Sequence, residues 1–226
     1  MAEKTTQYQD EIIINTFKTE VSNKLGEEAW NELIRDIGVP DIKNEAKCGC
    51  RTMYEFMIRF DRMADNHTAK TILSNVRHGL KPSQCAWARE RFLKCSDLDA
   101  FNQMNIEEQI ESFTRLHHTG ELFYGQPITD EVLEFIKQNP AMLAGVREGN
   151  KMYLMAFPAN MDAFLQENDE RMKRYHACHC PFAKESILTN KAVSSTLCYC
   201  SFGHVKNFWE AVFDRELAGD VRRYAM

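Results

Sequence analysis

The sequence predicts an α+β protein: a helical N-terminal two-thirds packed on a small antiparallel sheet, with short helices in the C-terminal third. Three observations carry that expectation. Apolar residues recur at helical spacing through the first 140 residues. Near residue 140 two short runs flank Glu148-Gly149-Asn150, a turn sequence that suits a β-hairpin. The chain has 226 residues, 44% of them hydrophobic, which is enough to bury a sizeable core.

Ile12, Ile13, Phe17, Val21 and Leu25 share one helical face, and Gly26 ends that helix. Trp30, Leu33 and Ile34 mark a second helix over Glu27 to Ile37, stopped by Gly38-Val39-Pro40. Cys48-Gly49-Cys50 is expected in the loop that follows, before a helix carrying Met53, Phe56, Met57 and Phe60. Thr68 to His78 reads as a helix ending at Gly79. Ser83 is a good N-cap for a helix through Lys94. Ile106 to Leu116 is the next helix, and Thr129 caps one that runs to Gln138.

The later elements are expected to be mixed. Met142 to Val146 and Lys151 to Phe157 form the hairpin arms. Arg171 to Cys178 reads as a strand, Pro181 to Leu188 as a short helix, and Thr196 to Cys200 as extended chain. Gly203 to Phe213 is an amphipathic helix, and Arg215 to Tyr224 suits a last strand. The texture change divides the chain into a helical region, 1–140, and a cysteine-rich α+β region, 141–226, within one integrated domain.

The net charge of −5 disfavours a partner gripped by its phosphates, so nucleic acid is not expected. The N-terminal segment has no apolar signal core, and no run of about 18 apolar residues suggests a membrane span. The expected compartment is the cytoplasm, where thiols stay reduced and structural disulfides are disfavoured. There is no Gly-rich phosphate loop, no G-x-S-x-G elbow and no H-E-x-x-H motif.

The chemistry-bearing feature is a threefold Cys-x-Cys: Cys48-Gly49-Cys50, Cys178-His179-Cys180 and Cys198-Tyr199-Cys200. Six of the eight cysteines lie in these pairs, so the clustering asks for an explanation. Pro181 suits a first helical position, which would put Cys180 at an N-cap, where the helix dipole and Lys184 both favour a thiolate. Ser201 is a natural N-cap too, placing Cys200 just before a second helix. On extended backbone the two sulfurs of a pair share a face. Cys178, Cys180, Cys198 and Cys200 are then candidate ligands for zinc or an iron–sulfur cluster, with Cys48, Cys50 and Cys85 as weaker ones. Buried packing is the competing reading of any of these thiols, and Cys95 reads as a lone structural one. His176, His179 and His204 lie near the pairs as candidate bases or ligands. His117-His118 reads as a helix C-terminal feature.

The run Cys178-His179-Cys180-Pro181-Phe182-Ala183-Lys184-Glu185-Ser186-Ile187, with Leu197-Cys198-Tyr199-Cys200-Ser201-Phe202-Gly203, resembles an uncharacterised bacterial and archaeal cysteine-rich family. That family is distantly similar to the L-2-amino-thiazoline-4-carboxylate hydrolase family and to ligand-binding domains of the 4-vinyl-reductase type. The resemblance covers about the last third of the chain. It implies an α+β domain whose cysteines line a small-molecule pocket. It further implies hydrolysis of a C–N bond in a small amidine- or thiazoline-like acid by a cysteine nucleophile. The doubled Cys-x-Cys departs from the hydrolase pattern and favours a metal or a different reaction. The end at Tyr224-Ala225-Met226 departs too, since relatives are expected to continue through another strand.

The expected catalytic residues are Cys180 and Cys178 with His179 or His204, and the expected substrate-binding residues are Lys184, Ser201 and Tyr199. The alternative is a non-catalytic metal or small-ligand sensor built on the same thiols, and thiol–disulfide redox cycling ranks third. The expected partner is a small molecule rather than nucleic acid or a membrane, with a homodimer as the candidate assembly.

Overall fold

Helix-forming periodicity dominates the fold. The computed structural model describes residues 2–222, and among these it contains twelve α-helices, short 3-10 turns and one two-stranded antiparallel sheet. The protein is thus mostly helical with a small sheet. Compactness divides the chain into two units, Met1–Arg89 with Cys180–Met226, and Glu90–His179, rather than near residue 140. The first unit gathers the two ends of the chain, so the three cysteine pairs do not all belong to one unit.

In the first unit, α1 (Ala2–Leu25) ends at Gly26 and α2 (Glu27–Ile34) follows at once. α2 stops before Ile37, and the Arg59 guanidinium accounts for its loose carbonyls by donating to Glu32, Leu33 and Arg35. α3 (Ile42–Cys48), capped by Asp41, occupies what reads as loop, so Cys48 ends a helix. Gly49 and Cys50 are both left-handed, and Cys50 opens α4 (Arg51–Met63). The Asp65 carboxylate accepts from His67 and Thr68 N–H and starts α5 (Asn66–Val76). A 3-10 turn at Pro82–Cys85, not Ser83, precedes α6 (Ala86–Phe92), within which the chain passes to the second unit. Phe17, Trp30, Phe56 and Phe60 meet edge-on with ring centroids 5.3–6.3 Å apart. Each such fully buried side chain contributes about 1.5–3 kcal/mol. Met53, Leu33, Ile72 and Leu73 complete this core, and Cys50 and Cys200 are part of it.

In the second unit, α7 (Leu98–Thr119) starts earlier than the apolar spacing alone implies, because the Asp97 carboxylate accepts from Ala100 N–H. α8 (Asp130–Gln138) is capped by Thr129 as the sequence indicates, and α9 (Pro140–Leu143) takes up Met142 and Leu143. The hairpin is real but short: β1 (Val146–Glu148) pairs with β2 (Lys151–Tyr153), in the register Val146↔Tyr153. Asp99 of α7 binds Arg147 at 2.7 Å and holds the hairpin from one side. α10 (Met161–Gln166) follows, started by the Asn160 side chain, which accepts from Ala163 N–H at 3.1 Å. Phe113, Val132, Ile136, Met142 and Met161 form this unit's core.

Three strand or extended assignments are corrected. Arg171 to Cys178 lies almost wholly in α11 (Glu170–Ala177), because Asp169 accepts from Met172 N–H and the run is rich in good helix formers. Thr196 to Cys200 is not extended: the Ser194 hydroxyl accepts from Thr196 N–H and opens a 3-10 turn, Ser195–Cys198. That turn runs directly into α12 (Tyr199–Phe213), which therefore begins before Gly203. The segment 216–222 forms no strand, and residues 223 and 224, which complete the expected strand, lie outside the described residues along with the chain end at 225 and 226.

Candidate functional site

The cysteines do not take the positions their spacing invites. Cys180 is not a helix N-cap: residues 181–183 form a turn, and the 3-10 helix Lys184–Leu188 has Ala183 as its cap. The Cys180 carbonyl accepts from Ala183 and Lys184 N–H at 3.1 and 2.9 Å, while its side chain is partly buried on the first unit's core. Cys198 and Cys200 lie at a helix start, where residues two apart point about 200° from each other, so the two sulfurs share no face. Tyr199 N–H already donates to the Thr196 and Leu197 carbonyls, so this helix start is not an open cradle of amides.

Cys200 is buried, and burial pushes its thiol up to about 12, against a hydrogen bond from the His78 backbone. Cys50 is likewise pushed up to about 11, chiefly by burial, with the Glu45 and Glu185 carboxylates adding to the effect. Its Sγ lies 3.9 Å from the Pro181 carbonyl, so the first Cys-x-Cys folds back onto the loop after Cys180. Cys48 is exposed, with its Sγ 4.0 Å from Oε2 of the buried Glu45, the carboxylate that also accepts Met53 N–H at the start of α4. Cys85 receives the Asn207 amide at 3.6 Å.

The other predicted residues are scattered. Cys178 is buried in the second unit, and the exposed His179 hydrogen bonds through Nε2 to the Phe157 carbonyl. Tyr199 is buried, donates its hydroxyl to Asp220 and carries the Lys70 ammonium 4.9 Å above its ring. Lys184 opens the 3-10 helix and is partly buried. Among the described residues no three His, Cys, Asp or Glu side chains converge as ligands for one metal ion. Two grooves of the first unit have volumes near 510 and 210 Å³. The larger is lined by Glu32, Arg35, Asp36, Arg59, Arg62 and Met63, and neither contains a cysteine.

Ser201 and His204, by contrast, are brought together, with a residue the sequence reading took only for a helix end. α5 and α12 cross at backbone contact: a Cβ on Gly203 would lie 2.0 Å from the Ser74 carbonyl oxygen, so only glycine permits the approach. Just past the crossing, Arg77 and His78 are both left-handed, with φ of 50° and 52°. That elbow aims His78 at α12. His78 Nε2 lies 3.2 Å from Ser201 Oγ, and the His78 ring packs on the His204 ring with centroids 4.9 Å apart. Contact with its neighbours desolvates part of the His204 ring and lowers its pKa, a hydrogen bond to the Arg77 backbone opposing this. His204 keeps an exposed edge, so the pair is reachable from solvent.

Beneath the pair is an ionic network. The Arg77 guanidinium binds Asn207 Oδ1 at 2.9 Å and Glu210 Oε2 at 2.8 Å. Glu210 Oε1 accepts from Lys206 at 3.0 Å and from Leu217 N–H at 2.9 Å. Ser201, His204, Asn207 and Glu210 recur every third residue along one strip of α12, and each meets the Arg77–His78 elbow. That spacing of polar residues, in a helix whose other residues are apolar or small apart from Lys206, is the sequence signal for the site. A hydroxyl beside an imidazole, with a second imidazole packed against it at a tilt of 32°, is equipped for nucleophilic and acid–base chemistry.

No family model, curated protein or solved structure matches this chain. No described helix is long and apolar enough to cross a membrane.

Proposed function

We propose that this protein is a hydrolase of a C–N bond in a small amidine- or thiazoline-like acid, with Ser201 rather than Cys180 as nucleophile and His78 as its base. The observation that carries the reading is the 3.2 Å approach of His78 Nε2 to Ser201 Oγ beside His204. The family likeness of the C-terminal cysteine runs supports the substrate class.

The steps balance for an amidine. Ser201 Oγ bonds to the amidine carbon and its proton passes to His78 Nε2. The C=N electron pair moves to nitrogen and returns as the C–N bond to the amine breaks, and His78 gives its proton to the departing amine. Water then attacks the Ser201 imidate, losing its proton to His78; the C–Oγ bond breaks, His78 returns that proton to Ser201 Oγ, and the amide leaves with the hydroxyl and the neutral imidazole restored. His204 serves by staying neutral. A charged imidazolium packed against His78 would oppose the proton His78 must accept, and the lowered pKa of His204 removes that repulsion at neutral pH. General-base help of this kind is worth about 10²–10⁴ in rate.

The test is amine release from 2-amino-thiazoline-4-carboxylate and from small acidic amidines, by wild type, Ser201→Ala and Cys180→Ser. The expectation is turnover by wild type and Cys180→Ser and its loss in Ser201→Ala. Full turnover by Ser201→Ala would sink the assignment.

A further inference from the structure

The two left-handed residues of the elbow require an explanation. Neither Arg77 nor His78 is glycine, and a left-handed conformation is disfavoured roughly tenfold or more for each such residue. The conformation persists only where surrounding contacts over-determine it. Those contacts are visible. The Arg77 side chain is 14% exposed and its guanidinium meets both Asn207 and Glu210, which lie three residues apart on α12. Glu210 is itself held from the other side by Lys206 and by Leu217 N–H. One terminal nitrogen, Nη1, reaches both acceptors, so the end of the Arg77 side chain is pinned between two groups of α12.

We propose that Arg77 is the positioning residue of this site: its guanidinium, locked on Asn207 and Glu210, holds the left-handed backbone that lays the His78 ring on Ser201 and His204. The proposal rests on the hydrolase reading for its consequence, but the geometry it describes is independent of any substrate. The Arg77 side chain touches no reacting atom and acts through the backbone it holds, which carries His78 and also accepts from the His204 ring. The strip at 201, 204, 207 and 210 is then a single device, its first half chemical and its second half a clamp.

The discriminating experiment uses the difference between alanine and glycine at one position. Glycine adopts the left-handed conformation without steric penalty, whereas alanine does not. Full-length wild type, Arg77→Ala and Arg77→Gly are compared by imidazole nitrogen NMR, which reports the His78 and His204 rings directly. The rate of Ser201 labelling by a fluorophosphonate probe is measured in parallel. In Arg77→Ala the His78 signals should move to those of a solvent-exposed ring and labelling should fall about tenfold or more. Arg77→Gly should recover the wild-type ring signals and bring labelling back to within about threefold.

Unmoved His78 signals in Arg77→Ala would overturn the proposal. So would equal loss in both variants, because the guanidinium would then act other than by holding the backbone. Should Arg77→Ala fail to fold, the isosteric Glu210→Gln keeps the packing and weakens one side of the clamp. It should shift the His78 signals part-way, and unchanged signals there count against the clamp. A wild type that shows the expected ring signals but no Ser201 labelling defeats the hydrolase reading and leaves the positioning role standing.

Discussion

Cys200 should be the least reactive kind of thiol despite its place beside a helix start. The perturbation is a short pulse of iodoacetamide near pH 8, where an ordinary thiol is about one-tenth ionised. Burial raises the Cys200 pKa from 9.0 to about 12, which lowers the thiolate fraction about a thousandfold. The side chain is only 8% exposed, and access restricts attack further. Cys48, exposed at the end of α3, is the internal reference. The assay is mass spectrometry of the digested protein, with each peptide's labelled fraction followed over time. In the native protein Cys200 should react at least about a thousandfold more slowly than Cys48, and in concentrated urea the two should converge. Native Cys200 that labels within tenfold of Cys48 would refute the reasoning, and would restore a thiolate site at the start of α12. The same shift has a stability consequence. The folded thiol holds its proton more tightly than the unfolded one, so stability is full below about pH 9 and falls as pH rises toward about 12. The loss is about 4 kcal/mol at most.

Gly203→Ala should be severe, because the new Cβ would meet backbone, the Ser74 carbonyl, at 2.0 Å and one helix must move. The expected loss is about 3 kcal/mol, or roughly 6–12 °C in Tm, and a calorimetric shift below 2 °C would rule out the close α5–α12 crossing. His204 makes stability depend on pH in the acid range. Its folded pKa lies below the ordinary 6.5, so on acidification the unfolded chain takes the proton first and stability falls as pH drops through that region. Urea midpoints of wild type and His204→Gln between pH 7 and pH 5 should diverge, with wild type losing more. Parallel curves would contradict the shift.

The helical regions were largely legible because packing follows periodicity. Phe17 and Val21 on α1, Met53 to Phe60 on α4, and Thr129 as the cap of α8 are where spacing and capping place them. The Glu148-Gly149-Asn150 turn likewise announced its hairpin. The region around the cysteine pairs was misread because its local signals are weak and conflicting. Thr196 to Cys200 is short, β-branched and aromatic in part, which suits an extended chain, and only the Ser194 cap tips it into a helix start. Turning extended chain into helix rotates Cys198 away from Cys200, which removes the shared face that a four-thiol site needs.

What the sequence determined by itself is a largely helical chain with a hairpin at Glu148-Gly149-Asn150, Ser201 and His204 as candidate site groups, and a set of thiols too clustered to ignore. What only the tertiary structure decided is which of these groups meet. The left-handed backbone at Arg77 and His78 has no signature in non-glycine residues, yet it carries an imidazole onto Ser201 across 123 positions of chain. Two thiols that spacing offered as candidate metal ligands, Cys50 and Cys200, are core, and burial in an apolar interior suppresses the charged form of a thiol, whatever its neighbours in sequence.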